Sequence, residues 1–181
     1  NTMNKKLLRY TVGIAMLAIV IPVTLTSMIT IEEAVNADNP ITKKWVGDFG
    51  GIPPLDKVKV SDFKPALEMA MADKLSEIEK IANNTEAPTF ENTIAALERS
   101  GQMYDRVQTM FGIWSTSMND EEFQKVETEM APKLSEFDDK IVQNEKLFSR
   151  IEQVYNKRES SNLTPEQQRL VWSDYTYFVS A

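Results

Sequence analysis

The amino-acid sequence predicts an all-α fold: an antiparallel bundle of about five helices, preceded by an extended arm and a signal peptide. Three observations predict it. From residue 61 onward, apolar residues recur at the three- and four-residue spacing that lines one face of a helix. Ser, Thr, Asn or Asp stands ahead of these runs, with proline in the first turn of two of them, where its missing N–H costs nothing. No sustained period-two alternation competes, so strand content is expected to be negligible. The organisation read from this is a signal peptide over 1–37, an arm over 38–60 and a helical domain over 61–181.

The first segment has its own logic. Met3 is the expected start, Lys5, Lys6 and Arg9 follow, and no charge appears again until Glu32 and Glu33. A basic start, an apolar run from Ile14 to Val23 and the small residues around Ala37 form a secretory layout with cleavage after Ala37. An uncleaved membrane anchor is the alternative, since Tyr10 to Ile31 is uncharged and just long enough to span a bilayer. Without cysteine there is no lipidated cleavage site. The expected location is the periplasm or the exterior, with the membrane met only transiently through this segment.

The arm carries Pro40, Gly47, Gly50, Gly51, Pro53 and Pro54, which exclude a regular helix, and Trp45, Phe49 and Ile52, which suit it to docking on the body. A first helix is predicted from Ser61 or Asp62, either able to cap it, to about Asn83, with the stripe Phe63, Leu67, Ala70, Met71, Leu75, Ile78 and Ala82. Thr89 caps a second, whose stripe runs from Phe90 through Ile94, Leu97, Tyr104, Val107 and Phe111 to Trp114. Gly101 lies inside it and either marks a close helix contact or splits the element, with the contact the preferred reading.

Asn119 and Glu122 form a capping-box pattern ahead of a third helix with Phe123, Val126, Met130, Leu134, Phe137 and Ile141, with a kink expected near Pro132. Asn144 caps a fourth helix bearing Leu147, Phe148, Ile151, Val154 and Tyr155. Thr164-Pro165-Glu166-Gln167 opens a fifth. That last helix is still apolar at Tyr175, Phe178 and Val179 when the sequence stops, so the chain reads as incomplete, with aromatic surface exposed near Trp172 to Phe178.

The 181 residues hold 20 basic and 27 acidic side chains, no histidine and no cysteine. A net charge of −7 opposes nucleic-acid binding, which must neutralise phosphates. Removing 1–37 takes away three basic and two acidic residues and leaves the remainder at −8. Imidazole bases, thiolate nucleophiles and the usual zinc ligands are absent. The pairs Glu121-Glu122 and Asp138-Asp139 diverge around a helix and read as solvated faces. No phosphate loop or nucleophile elbow is present. No catalytic, cofactor-binding or metal-ligating residue is assigned in this chain. Trp172, Tyr175 and Tyr177 are noted as possible linings of a peptide groove.

Several stretches carry a resemblance: Gly50-Gly51-Ile52-Pro53-Pro54-Leu55-Asp56-Lys57-Val58, then Phe63-Lys64-Pro65-Ala66-Leu67-Glu68, and above all Ala87-Pro88-Thr89-Phe90-Glu91-Asn92-Thr93-Ile94-Ala95-Ala96-Leu97-Glu98-Arg99-Ser100-Gly101. Ala131 to Ser135 and Asn144 to Ile151 add to it. Together these resemble the amino-terminal region of the zinc metallopeptidases of the thimet oligopeptidase and peptidyl-dipeptidase (dipeptidyl carboxypeptidase) family. Asn39-Pro40 and the exported context lie nearer the bacterial dipeptidyl carboxypeptidases.

The resemblance implies a long helical enzyme whose two halves flank a channel. Zinc would be held by a His-Glu-x-x-His helix in the carboxyl-terminal half, so zinc belongs to the full-length parent and not to these residues. The implied role here is to wall the channel. The implied partners are short peptide substrates, trimmed of carboxyl-terminal dipeptides, and the remainder of the same polypeptide; the fragment alone would be inactive. The alternative is a non-catalytic secreted or anchored helical domain that binds peptides or a partner helix.

Overall fold

The computed structural model describes residues 39–48 and 51–181. The predicted signal segment, its cleavage point after Ala37, and Phe49 lie outside the described residues. Pro40–Ala181 forms one compact unit. Among the described residues there is no strand, and the chain is all-helical. None of the described helices is long and apolar enough to cross a membrane.

The arm docks through Trp45, as expected, but its deepest anchors are Ile41 and Val58 and not Ile52. Ile41 is completely buried, Val58 nearly so, and Trp45 packs partly against the same core, whereas Ile52 stays 80% exposed. Arg106 clips the arm by donating to the Thr42 carbonyl at 3.2 Å. Gly51, at φ +89, has no room for a side chain, because a Cβ would meet the Trp45–Val46 backbone at 2.5 Å. Glycine is required there.

A short 3₁₀ turn, Val60–Asp62, leads into α1, Phe63–Ala82. Neither expected cap donor-acceptor pair forms at this start. Asp62 points backward and accepts from the Lys59 N–H at 2.8 Å, closing the turn instead of capping the helix. The predicted stripe is otherwise realised, with Phe63, Leu67, Ala70, Met71, Ile78 and Ala82 buried.

Thr89 caps the next element as expected. Its hydroxyl accepts from the Asn92 N–H at 3.1 Å, and the Asn92 carboxamide accepts from the Thr89 N–H at 2.9 Å. The element itself is not one continuous helix. A π-helical turn, Phe90–Ile94, passes into the five-residue α2, Ala95–Arg99, and the chain then breaks before α3, Gln102–Ser117. The break is at Gly101, in the left-handed region at φ +75. Gly101 also makes the close contact predicted for it. A Cβ there would lie 2.6 Å from Lys74 Cδ, and its N–H donates to Glu77 Oε2 at 2.6 Å. The glycine thus divides the helix while pinning it against α1.

The third predicted helix is α4, Glu121–Val142, and its cap is displaced by one residue. Asp120, not Asn119, accepts from the Phe123 N–H at 2.8 Å, while Asn119 reaches back to the Ser115 carbonyl and across to Glu127. The helix continues through Pro132. Asn144 caps α5, Glu145–Lys157, through the Leu147 N–H at 3.0 Å. Thr164 and Gln167 form the predicted reciprocal box at the start of α6, Pro165–Ser180.

α1 is the element shared by two apolar cores. Its first half packs with α3, α4 and the arm around Phe63, whose ring lies 5.2 Å from Trp114 and 5.1 Å from Phe123. Its second half packs with the π turn, α5 and α6 around Ile78, Ile94, Leu147, Ile151 and Val171. Ile141 of α4 touches both cores. Two ion pairs, Lys64–Glu129 and Lys133–Glu68, tie α1 to α4 at the surface and set their register.

Candidate functional site

The described residues contain two polar centres inside otherwise apolar packing, and both belong to the second core. The first is Arg150 on α5, only 6% exposed. Its Nη1 donates to the carbonyls of Asn84 at 2.7 Å and Glu86 at 3.0 Å, and its Nη2 to Asn92 Oδ1 at 3.0 Å and Thr93 Oγ1 at 3.2 Å. Burial lowers its pKa, with Glu86 opposing that effect. The four donors fasten the Asn84–Pro88 connection and the π turn to α5. Because Nη1 and Nη2 are both engaged with the protein itself, Arg150 is a clamp and not a ligand group.

The second centre is a cleft of about 320 Å³ where α1, α2, α3, α4 and α6 meet. Ile78, Leu97, Ile141 and Phe178 form its apolar wall, and Lys74, Glu98, Asp105, Asp138 and Asp174 its charged rim. Asp174 is half-buried, and its Oδ2 is out of solvent with no hydrogen-bond partner. Burial first, and then the negative charge of Glu98, push its carboxyl up to about 7. Lys74 does not neutralise it, for the ammonium lies 4.9 Å above the Tyr104 ring. The cleft can hold a proton at Asp174.

The acidic pairs behave as read from the sequence: Glu121, Glu122, Asp138 and Asp139 are all exposed. Among the described residues no group of three or more Asp or Glu side chains could hold a metal ion. The three aromatics considered as a groove do not share one. Tyr175 stacks on Tyr155 at 3.9 Å, Tyr177 borders the Asp174 cleft, and Trp172 stands about 140° around the helix from Tyr177. Trp172 and Tyr177 are 56% and 57% exposed, in keeping with the expected aromatic surface on this helix.

Arg150 and Asp174 were both missed by the stripe analysis, and one signal marks both. Arg150 lies three residues after Leu147 and four before Val154. Asp174 lies three after Val171 and four before Phe178. A charged residue in register with an apolar stripe must be either paired or displaced in pKa.

No family pattern matches the chain. Individual relatives do. The chain is 35% identical over 129 residues to the dipeptidyl carboxypeptidase of Escherichia coli (strain K12) and 33% identical over 129 residues to that of Salmonella typhimurium (strain LT2). Each match covers 71% of this chain and 19% of the relative. The similarity is consistent with a fragment of the dipeptidyl carboxypeptidase family, and the chain spans about one fifth of the length of the curated relatives it matches, 19% in each case.

Proposed function

We propose that this chain is the channel-wall segment of an exported zinc peptidase that removes dipeptides from the carboxyl ends of short peptides. The 129-residue similarity to two dipeptidyl carboxypeptidases is the observation that carries the reading. Export rests on Lys5, Lys6 and Arg9 followed by the uncharged run to Ile31.

The residues present do not fit a zinc site. Histidine and cysteine are wholly absent, and the described carboxylates are not grouped to bind a metal. Zinc ligands, general base and transition-state donors are therefore assigned to polypeptide outside these residues, and no chemical step is derived through the metal here.

What these residues contribute is shape. The Arg150 clamp fixes the connection between α1 and the π turn, and Gly101 fixes the approach of α3 to α1. A rigid wall admits an extended peptide but excludes a folded domain, which would have to give up a stability of about 5–15 kcal/mol to thread a narrow channel. The partners in this reading are short peptides and the catalytic remainder of the same polypeptide.

The reading frame beyond Ala181 tests this. It is expected to encode a His-Glu-x-x-His helix, and the expressed whole polypeptide is expected to show chelator-sensitive peptidase activity that residues 38–181 alone lack. A stop codon or an unrelated domain directly after Ala181 would leave the alternative of a non-catalytic peptide- or helix-binding domain.

A further inference from the structure

We propose that the docking of α6 is a proton-operated device: Asp174 holds the helix in place while it carries a proton and loosens it on losing one. The argument begins with how α6 is held. Val171 is its only fully buried side chain among the described residues, whereas Trp172, Tyr177 and Val179 are exposed. Its remaining apolar contacts are the partly buried Leu170, Tyr175 and Phe178. An element with so little buried apolar area opens at a lower free energy than the core around it.

Into this thin contact the chain inserts a carboxyl. Asp174 borders a cleft of about 320 Å³, and its Oδ2 is out of solvent and receives no hydrogen bond. Negative charge on that oxygen is removed from solvent and has no donor, whereas a carboxylic acid is tolerated. The surrounding groups do not relieve it. Glu98 from α2, Asp105 from α3 and Asp138 from α4 line the same cleft with like charge. Lys74 from α1 is the cation there, and its ammonium is engaged with the Tyr104 ring. Just past α5, Arg158 sits 3.9 Å over the Tyr155 ring, which in turn stacks on Tyr175, and Glu91 of the π turn is paired with Arg99 at 2.7 Å. On α6 itself, Glu166 is paired with Arg169 at 2.9 Å, and Tyr177 borders the cleft.

The sign follows from linkage. The docked helix keeps a proton on Asp174 up to a pH of about 7, while a released helix gives it up in the ordinary aspartate range. Docking is therefore fully supported below that ordinary range, weakens as pH rises, and has lost the contribution once pH passes about 7. Glu129, Glu136 and Glu166 have lowered pKa values and act in the opposite sense, below the usual glutamate range, so the two effects occupy different pH windows.

Amide hydrogen exchange across α6 in the full chain, corrected for the intrinsic rate at each pH, is the test. Between pH 5 and 7, protection of the α6 amides is expected to fall by up to about tenfold per pH unit, the limit for release of one proton. Asp174→Asn, which keeps the shape and removes the titration, is expected to abolish that slope. Glu98→Gln is expected to retain the slope and to end it at a lower pH, because burial remains and one repelling charge is gone. A flat profile in the unmodified chain, or the same slope in Asp174→Asn, would overturn the proposal.

Discussion

Replacing Arg150 by methionine tests the reasoning about the second core most severely, because the change keeps the side-chain stem and removes only the guanidinium. Hydrogen bonds to a charged group contribute about 1.5–3 kcal/mol each, so the four seen here have a gross value that is several times the net one. Two of the acceptors are the carbonyls of Asn84 and Glu86, on a connection that is open to solvent, and these regain water when the arginine goes. Asn92 Oδ1 keeps its bond from the Thr89 N–H at 2.9 Å, but Thr93 is fully buried and its hydroxyl loses a donor.

The energy of removing a guanidinium from water, visible in the lowered Arg150 pKa, is recovered in the variant and offsets part of the loss. What remains is a destabilisation of about 2–4 kcal/mol. With a urea dependence of about 2 kcal/mol per molar, the denaturation midpoint should fall by roughly 1–2 M. Arg150→Lys, which restores charge but cannot reach four acceptors in a plane, should recover less than half of that. A midpoint shift under about 0.3 M for Arg150→Met would refute the claim that this side chain organises the connection between α1 and the π turn.

Gly101→Ala should lower the melting temperature by about 3–6 °C, the effect of roughly 1–2 kcal/mol for an alanine forced to positive φ in a chain of this size. Gly101→Asn should cost less, since asparagine tolerates that region; equal losses for the two would show that contact with Lys74 and not backbone conformation is responsible. Phe63→Ala should cost about 3–5 kcal/mol in urea denaturation and change the fluorescence of Trp114, whose ring lies 5.2 Å away. Loss of stability with unchanged Trp114 emission would contradict the ring cluster as drawn.

The helices were legible because their signals are local. Thr89, Asn144 and Thr164 each accept the amide that the sequence assigns to them, since a cap needs only its own next three residues. Where two candidates stood side by side, locality was not enough. Asn119 and Asp120 are both competent caps, and the choice fell to Asp120 because Asn119 bonds Glu127, a partner eight residues away. Gly101 carried a signal with two meanings, a contact or a break, and both are realised because the left-handed backbone is what brings its N–H to Glu77.

The candidate site was not legible in the same way. Arg150 draws its partners from residues 57 to 66 positions earlier, and Asp174 owes its character to Glu98 and to a cleft built from five helices. Spacing within one helix reports that such a charge is out of place on an apolar stripe; it does not report what receives it. The docked arm shows the same limit. Its aromatic and aliphatic content announced docking, and Trp45 packs on the core, yet the side chains that sink furthest are Ile41 and Val58, while Ile52 stays in solvent.

The function proposed above is that these helices wall a peptide channel and that the chemistry resides in the rest of the polypeptide. Mass spectrometry of peptide products measures it most directly, with the whole reading frame and the 38–181 segment each incubated with an unstructured peptide about ten residues long. The account predicts successive loss of carboxyl-terminal dipeptides by the whole polypeptide, and an untouched substrate with the segment. Dipeptide release by the segment itself, or a whole polypeptide that leaves the peptide intact, would contradict it.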